Sequence, residues 1–164
     1  MHRYTSGLVL ITALVMLLIL SLLGISGTQM MVLQLRMTNN TQQKHQAFQA
    51  AEAALRDGEH HIENHVNQHT VFSPTCEQGL CTTTSLGDTP WISQVDWLSG
   101  LNTQLYGSIT GKPAFPGVVH QPRYIIERLP DVAAAPNDSW YRVTAVSYTV
   151  HGTIQHRLQS TYRQ

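Results

Sequence analysis

No excess of either charge runs through this sequence: ten Lys and Arg stand against ten Asp and Glu, and charged residues make up only 12% of the chain. A neutral balance supplies no electrostatic reason for a nucleic-acid partner or an anionic membrane surface, so no nucleic-acid contact is inferred. Cysteine is scarce, with Cys76 and Cys81 the two present. A single pair at that spacing is too sparse for a zinc site, whereas an even pair in an exported domain suggests a disulfide. The GxSxG, P-loop and GxGxxG fingerprints are missing, as is any paired-carboxylate motif. Serine and histidine show no triad spacing. The expectation is a protein that is no enzyme and needs neither cofactor nor metal.

What is present is unevenly spread. Residues 8–25 read LVLITALVMLLILSLLGI, uncharged, with Thr12 and Ser21 as the polar interruptions. That is about the minimum length for crossing a bilayer core as a helix, and nothing later is long or apolar enough to span again. His2 and Arg3 precede the run, while Arg36 and Lys44 follow at a distance. Basic charge just before a span favours a cytoplasmic N-terminus, leaving about 130 residues on the far side. Three export signals compete here. One is a secretory signal peptide cut near Ser26-Gly27-Thr28, and the second is a plain signal anchor. The third is a very short leader ending at Ser6-Gly7, directly before the apolar run.

Helical character continues past the run. Gly24 and Gly27 weaken it, each by around 1 kcal/mol relative to Ala. No proline occurs from residue 28 to 65, and Ala47, Ala50, Ala51, Ala53, Ala54 and Leu55 are strong helix formers. Phe48, Ala51, Leu55, Ile62 and Val66 make one apolar stripe, with Gln42, Gln46, Gln49, Arg56 and Glu63 away from it. Met30, Met31, Val32, Leu33 and Leu35 are apolar nearly all round, as in a helix bundled with others. One helix over 8–65 would measure ~85 Å. Sustained heptads are missing, which ranks a coiled-coil stalk lower. Glu52 reads as a solvated carboxylate with Arg56 as its i,i+4 partner. His61, His65 and His69 recur every fourth residue, a spacing that metal-binding helices use. No HExxH or converging carboxylate joins them, so solvated histidines are expected.

Beyond His69 the composition shifts to Thr, Ser, Pro and Gly. Residues 71–90 read as loop, punctuated by Pro74, Gly79, Gly87 and Pro90, with a Cys76–Cys81 clip fixing a surface turn. Residues 91–105 are expected to form a short helix, since Ile92, Val95, Leu98, Leu101 and Leu105 recur at three and four. Residues 107–121 are loop. Three strands follow, at 123–129, 140–150 and 153–162, with AAAPND between the first two and Gly152 turning the last hairpin. The tryptophans and Tyr141 are expected in the core. A run of strands after one long helix means an α+β fold, with an antiparallel sheet packed on the helix stripe.

Several of these stretches carry a family likeness. They are the Ser6-Gly7 leader; Arg36, Met37 and Asn40; AFQAAEAALRDGE over 47–59, with Ala51, Glu52, Ala54 and Leu55; CEQGLC; QPRYIIERLP; and the closing YRVTAVSYTVHGTIQHRLQSTYR. Together they resemble the PilX-type minor pilins of type IV pili. The resemblance implies the type IV pilin-like fold, a leader at 1–7, a transmembrane and pilus-core half-helix at 8–28, an amphipathic half at 29–69 and a head at 70–164. It implies cleavage by prepilin peptidase between Gly7 and Leu8, followed by methylation of the new terminus. Such pilins usually carry Glu at the fifth mature position, here Thr12. In the family that carboxylate neutralises the N-terminal amine of the subunit ahead. A subunit with nothing ahead has no amine to neutralise, which suits Thr12 to the tip or initiating complex.

The implied partners are other minor pilins, the major pilin, the inner-membrane assembly platform and a tip adhesin. The implied location is the bacterial inner membrane, with the bulk periplasmic, and then the pilus. Motility, adhesion and DNA uptake are the functions such pili serve. Two alternatives stay open: a signal-anchored periplasmic binding module or adhesin, and a type II secretion tip pseudopilin, which also lacks the Glu but usually holds a larger inserted domain.

Overall fold

A computed structural model describes residues 5–83, 95–130, 139–149 and 153–164. Four features of the sequence reading lie outside these residues: the start of the leader (His2, Arg3), the segment with Gly87, Pro90, Trp91 and Ile92, the AAAPND connection, and the Gly152 turn. The chain forms two compact units, Met1–Gln42 and Gln43–Gln164. One helix, α1 (Thr5–His65), supplies the whole described part of the first and opens the second.

In the first unit every side chain whose exposure is described lies open, including Leu10, Leu17, Leu23 and Met31. Several of its hydroxyl side chains bond back to their own helix. Thr12 Oγ1 donates to the Val9 carbonyl at 3.0 Å and Ser21 Oγ to that of Leu17 at 2.8 Å. Thr38 and Thr41 do the same one turn back, so these hydroxyls need no water.

The second unit packs the end of α1 on a mixed sheet. Its strands are β1 (Leu80–Thr82), β2 (Gln104–Leu105), β3 (Arg123–Arg128), β4 (Trp140–Tyr148) and β5 (Ile154–Arg163). The order is β1-β3-β4-β5, with β2 also paired to β3. The three expected strands are β3, β4 and β5, each within one or two residues of its anticipated limits. Pairing is antiparallel from β3 through β4 to β5, as expected, and β2 joins β3 antiparallel as well. β1 joins β3 in parallel, from inside a stretch read as loop. Three residues give no visible alternation, and a parallel edge pair needs no hairpin turn to announce it.

The expected helix at 91–105 is overturned over its described part: 97–99 is a turn and 104–105 is β2. Gly100 sits at φ 75°, in the left-handed region, and Asp96 Oδ1 accepts from the N–H groups of Leu98 and Ser99 in a closed turn. Leu98 and Leu101 stand in solvent, so the apolar spacing marked no buried face.

Alternation in the strands builds two cores. On one face, Tyr124, Ile126, Tyr141, Val143 and Ala145 pack with Ala54 and Ile62 of α1 and with Val66 just past its end. On the other, Ile125, Val146 and Tyr148 pack with Val95, Trp97 and both cysteines. The α1 stripe is shifted from the expected one. Ala47, Ala50, Ala51, Ala54, Ile62 and Val66 are buried, Leu55 is half-buried and Phe48 is 43% exposed. Small side chains let helix and sheet approach closely. The two are close at Gly58, where an added Cβ would stand 2.5 Å from Val143 Cγ1. Gln42, Gln49, Arg56 and Glu63 face solvent, while Gln46 is half-buried and donates to the Pro116 carbonyl at 3.4 Å.

Candidate assembly surface

The first candidate surface is the N-terminal part of α1. Between Arg3 and Arg36 no residue is charged. The helix is long and apolar enough to cross a membrane, and none of its apolar window is buried by the rest of the chain. Gly7 and Leu8 lie on the helix, exposed, with open space where a Gly7 Cβ would project. Thr12 is exposed as well, its hydroxyl committed to the Val9 carbonyl. Apolar surface of this extent is unfavourable in water and asks for lipid or other helices around it.

Further along α1 the residues singled out from the sequence separate by role. Arg36, Met37 and Asn40 are exposed. Ala51 and Ala54 are fully buried, and Leu55 packs at the margin of the same core. Glu52 and Arg56 form the expected i,i+4 pair, Nη2 to Oε1 at 2.5 Å, on an open surface where it adds only a few tenths of a kcal/mol.

The disulfide joins Cys76 to Cys81. The turn it closes does lie at the surface, with Glu77 and Gln78 exposed, while both cysteines are 0% exposed within the second core. The chain folds the clip inward through a short 3-10 turn, Glu77–Gly79. Gly79 takes φ 71°, and its Cβ position lies 2.9 Å from the Gln104 backbone N, so that contact needs glycine. Gln104 Nε2 closes the other side by donating to the Gln78 carbonyl.

Two polar centres were not anticipated, and a third overturns the expectation that His61 is solvated. Asp57, fully buried, accepts from the Gly107 N–H at 2.8 Å and from Thr110 Oγ1, and pairs with Lys112 Nζ at 3.1 Å. It thereby ties residues 107–112 to α1. Glu127, also fully buried, takes both Nε and Nη2 of Arg142, at 2.7 and 3.0 Å, across β3 and β4. His61 is buried against Tyr124, with Nδ1 3.1 Å from Tyr Oη. Burial, helped by His65 and opposed by Asp57, pushes His61 down to about 4. The signal for Asp57 and His61 was in the sequence: they follow Ala54 at three and seven, on the buried side of the helix.

His65 is exposed and edge-on to His61 at 5.9 Å, while His69 lies beyond the helix end. Among the described residues no three His, Cys, Asp or Glu side chains gather as a metal would require.

Two family models match the chain: PilX N-terminal over residues 6–56, and type IV pilus assembly protein PilX C-terminal over 77–164. The chain belongs to the PilX family of type IV pilus minor pilins. No curated protein and no solved structure matches it. The two matches meet the structure in a consistent way. The N-terminal model covers the exposed apolar helix through Arg56, and the C-terminal model begins in the disulfide turn and takes in every strand among the described residues. The family is one of structural pilins, and membership implies association with other components of the pilus.

Proposed function

We propose that this PilX-type pilin is a priming and tip subunit. It is cut between Gly7 and Leu8, methylated there, held in the inner membrane by residues 8–28, and passed with other minor pilins into the first layer of the pilus. The observation that carries the reading is Thr12. A shaft subunit needs a carboxylate at this position to pair with the amine ahead of it, since an unpaired amine among apolar helices is costly. Thr12 offers a hydroxyl already engaged by Val9. Exposed apolar surface on residues 8–37 supplies the association energy as helices exchange lipid for one another. The head, on the periplasmic side, meets the tip adhesin, and the pili so started serve motility, adhesion or DNA uptake.

Gold labelling of an epitope on the head tests this in cells with intact pili. Label confined to pilus ends, with few pili when the chain is deleted, is the expected result. Label spread along the shaft, or normal pilus numbers without the chain, would refute it.

A further inference from the structure

A cavity of about 320 Å³ opens just past the end of α1, between residues 66–68 and the neighbouring ends of β3, β4 and β5. That volume lies in the range of small-molecule sites. Arg128 and Tyr141 both line it, and they stand opposite one another in the register of β3 and β4. Their side chains therefore share one face of the sheet, the face that packs on α1.

The polar groups here are unspent. The exposed Arg128 side chain has neither an ion pair nor a hydrogen bond among the described residues. Its neighbour Glu127 lies on the opposite face and is held by Arg142, so it does not neutralise this charge. Tyr141 is 4% exposed, its ring packed 5.8 Å from that of Phe72, and its hydroxyl has no partner among the described residues. A buried hydroxyl in that state is costly until an acceptor reaches it. Ser139 adds a second uncommitted hydroxyl, while its backbone is pinned to that of Gln164 by two bonds of 3.1 Å. The carbonyls of Val66 and Asn67, at the α1 end, already accept from Gln164 Nε2 and the Thr70 N–H.

These donors select a ligand. A cation would meet the charge of Arg128, and an apolar group would leave guanidinium and hydroxyls unpaired. A carboxylate offers two oxygens with about four lone-pair sites, which suits a guanidinium fork and an adjacent O–H together. We propose that this cavity binds a small organic acid, its carboxylate paired with Arg128 and accepting from the Tyr141 hydroxyl. Acidic sugars and amino acids both carry that group. The inference concerns the head alone and is independent of the tip reading.

The test titrates the full, isotope-labelled chain in detergent micelles with glucuronate, with N-acetylglutamate and, as a neutral counterpart, with glucose. Saturable NMR shifts are expected at the amides of Arg128, Ser139 and Tyr141 with acid and none with glucose. A response to glucuronate alone identifies a sugar acid, to N-acetylglutamate alone an amino acid, and to both the shared carboxylate; each supports the site. Arg128→Ala and Tyr141→Phe should each weaken binding about tenfold. Tyr141→Phe should leave the melting temperature of the ligand-free chain unchanged, because the hydroxyl it removes has no partner there, so its weaker binding is no folding defect. No saturable shift with either acid, an equal response to glucose, or affinity indifferent to both substitutions would overturn the proposal.

Discussion

Asp57 holds its carboxylate away from water and spends it on three donors, the Gly107 N–H, Thr110 and Lys112. Removing it strands a buried N–H and takes away the partner of Lys112. Asp57→Ala should therefore cost about 2–4 kcal/mol in urea unfolding of the head, with faster hydrogen exchange at Gly107. Gly58, its neighbour, is a packing requirement. Val143 and the Tyr124 ring leave no room for a methyl, so Gly58→Ala should destabilise by about 1–3 kcal/mol despite better helix propensity. A neutral or stabilising effect would mean that helix and sheet do not approach this closely. His61 makes a pH prediction. Its folded value is about 4, below the unfolded value of 6.5, so the unfolded chain binds the proton first. The stability of the neutral form is complete above 6.5 and is lost as pH falls from there toward about 4. After allowance for solvent screening the loss is on the order of 2 kcal/mol. Comparing His61→Phe with the parent at pH 7 and pH 4.5 isolates it, and parallel losses in both proteins would remove His61 as the cause.

At the scale of elements, the disulfide turn and the long helix make separate predictions. Closing so short a ring accounts for about 2 kcal/mol. Both sulfurs are also core atoms, packed with Trp97, Ile125 and Val146. The double variant Cys76→Ala/Cys81→Ala should lose about 2–4 kcal/mol and shift Trp97 fluorescence, whereas an isolated surface clip would leave the tryptophan unchanged. In α1, Gly24 is exposed, with nothing near its Cβ position. If residues 24–29 loosen when the subunit leaves the bilayer, hydrogen exchange there should be faster in the filament than in the membrane, and Gly24→Ala should suppress the difference. Equal protection in both settings would argue against a hinge. The elements most legible in the sequence were those with a long period to read. α1 declared itself through proline-free, alanine-rich sequence, and β3 to β5 through alternation. β1 and β2, at three and two residues, are too short to carry a period, and their pairing comes from β3. The mistaken helix at 91–105 had the right spacing, but Gly100 and the Asp96 turn override it locally. Phe48 belonged to the apparent stripe by hydrophobicity, yet the buried face went to alanines because close packing rewards small side chains there. Asp57 and Glu127 were hidden because polarity suggests solvent, and their partners lie 15 or more residues away in sequence.

The whole molecule pairs an exposed, uncharged apolar helix with a head that has its own two-sided core. Such a chain has little to gain alone in water and much to gain among similar helices. Membership of the PilX family names the assembly, and the lack of a carboxylate at Thr12 argues for a place where nothing stands ahead. Thr12→Glu is then an informative change. It should allow the subunit into the shaft, seen as head label along the pilus; label still restricted to the ends would show that position 12 does not decide placement. All of this requires that the apolar segment stay on the mature protein. Mass spectrometry of the N-terminus, on protein from cells with active prepilin peptidase, measures that directly. The account predicts a chain that begins at methylated Leu8 with residues 8–28 retained. An intact Met1, or a soluble domain starting near residue 27, would contradict it.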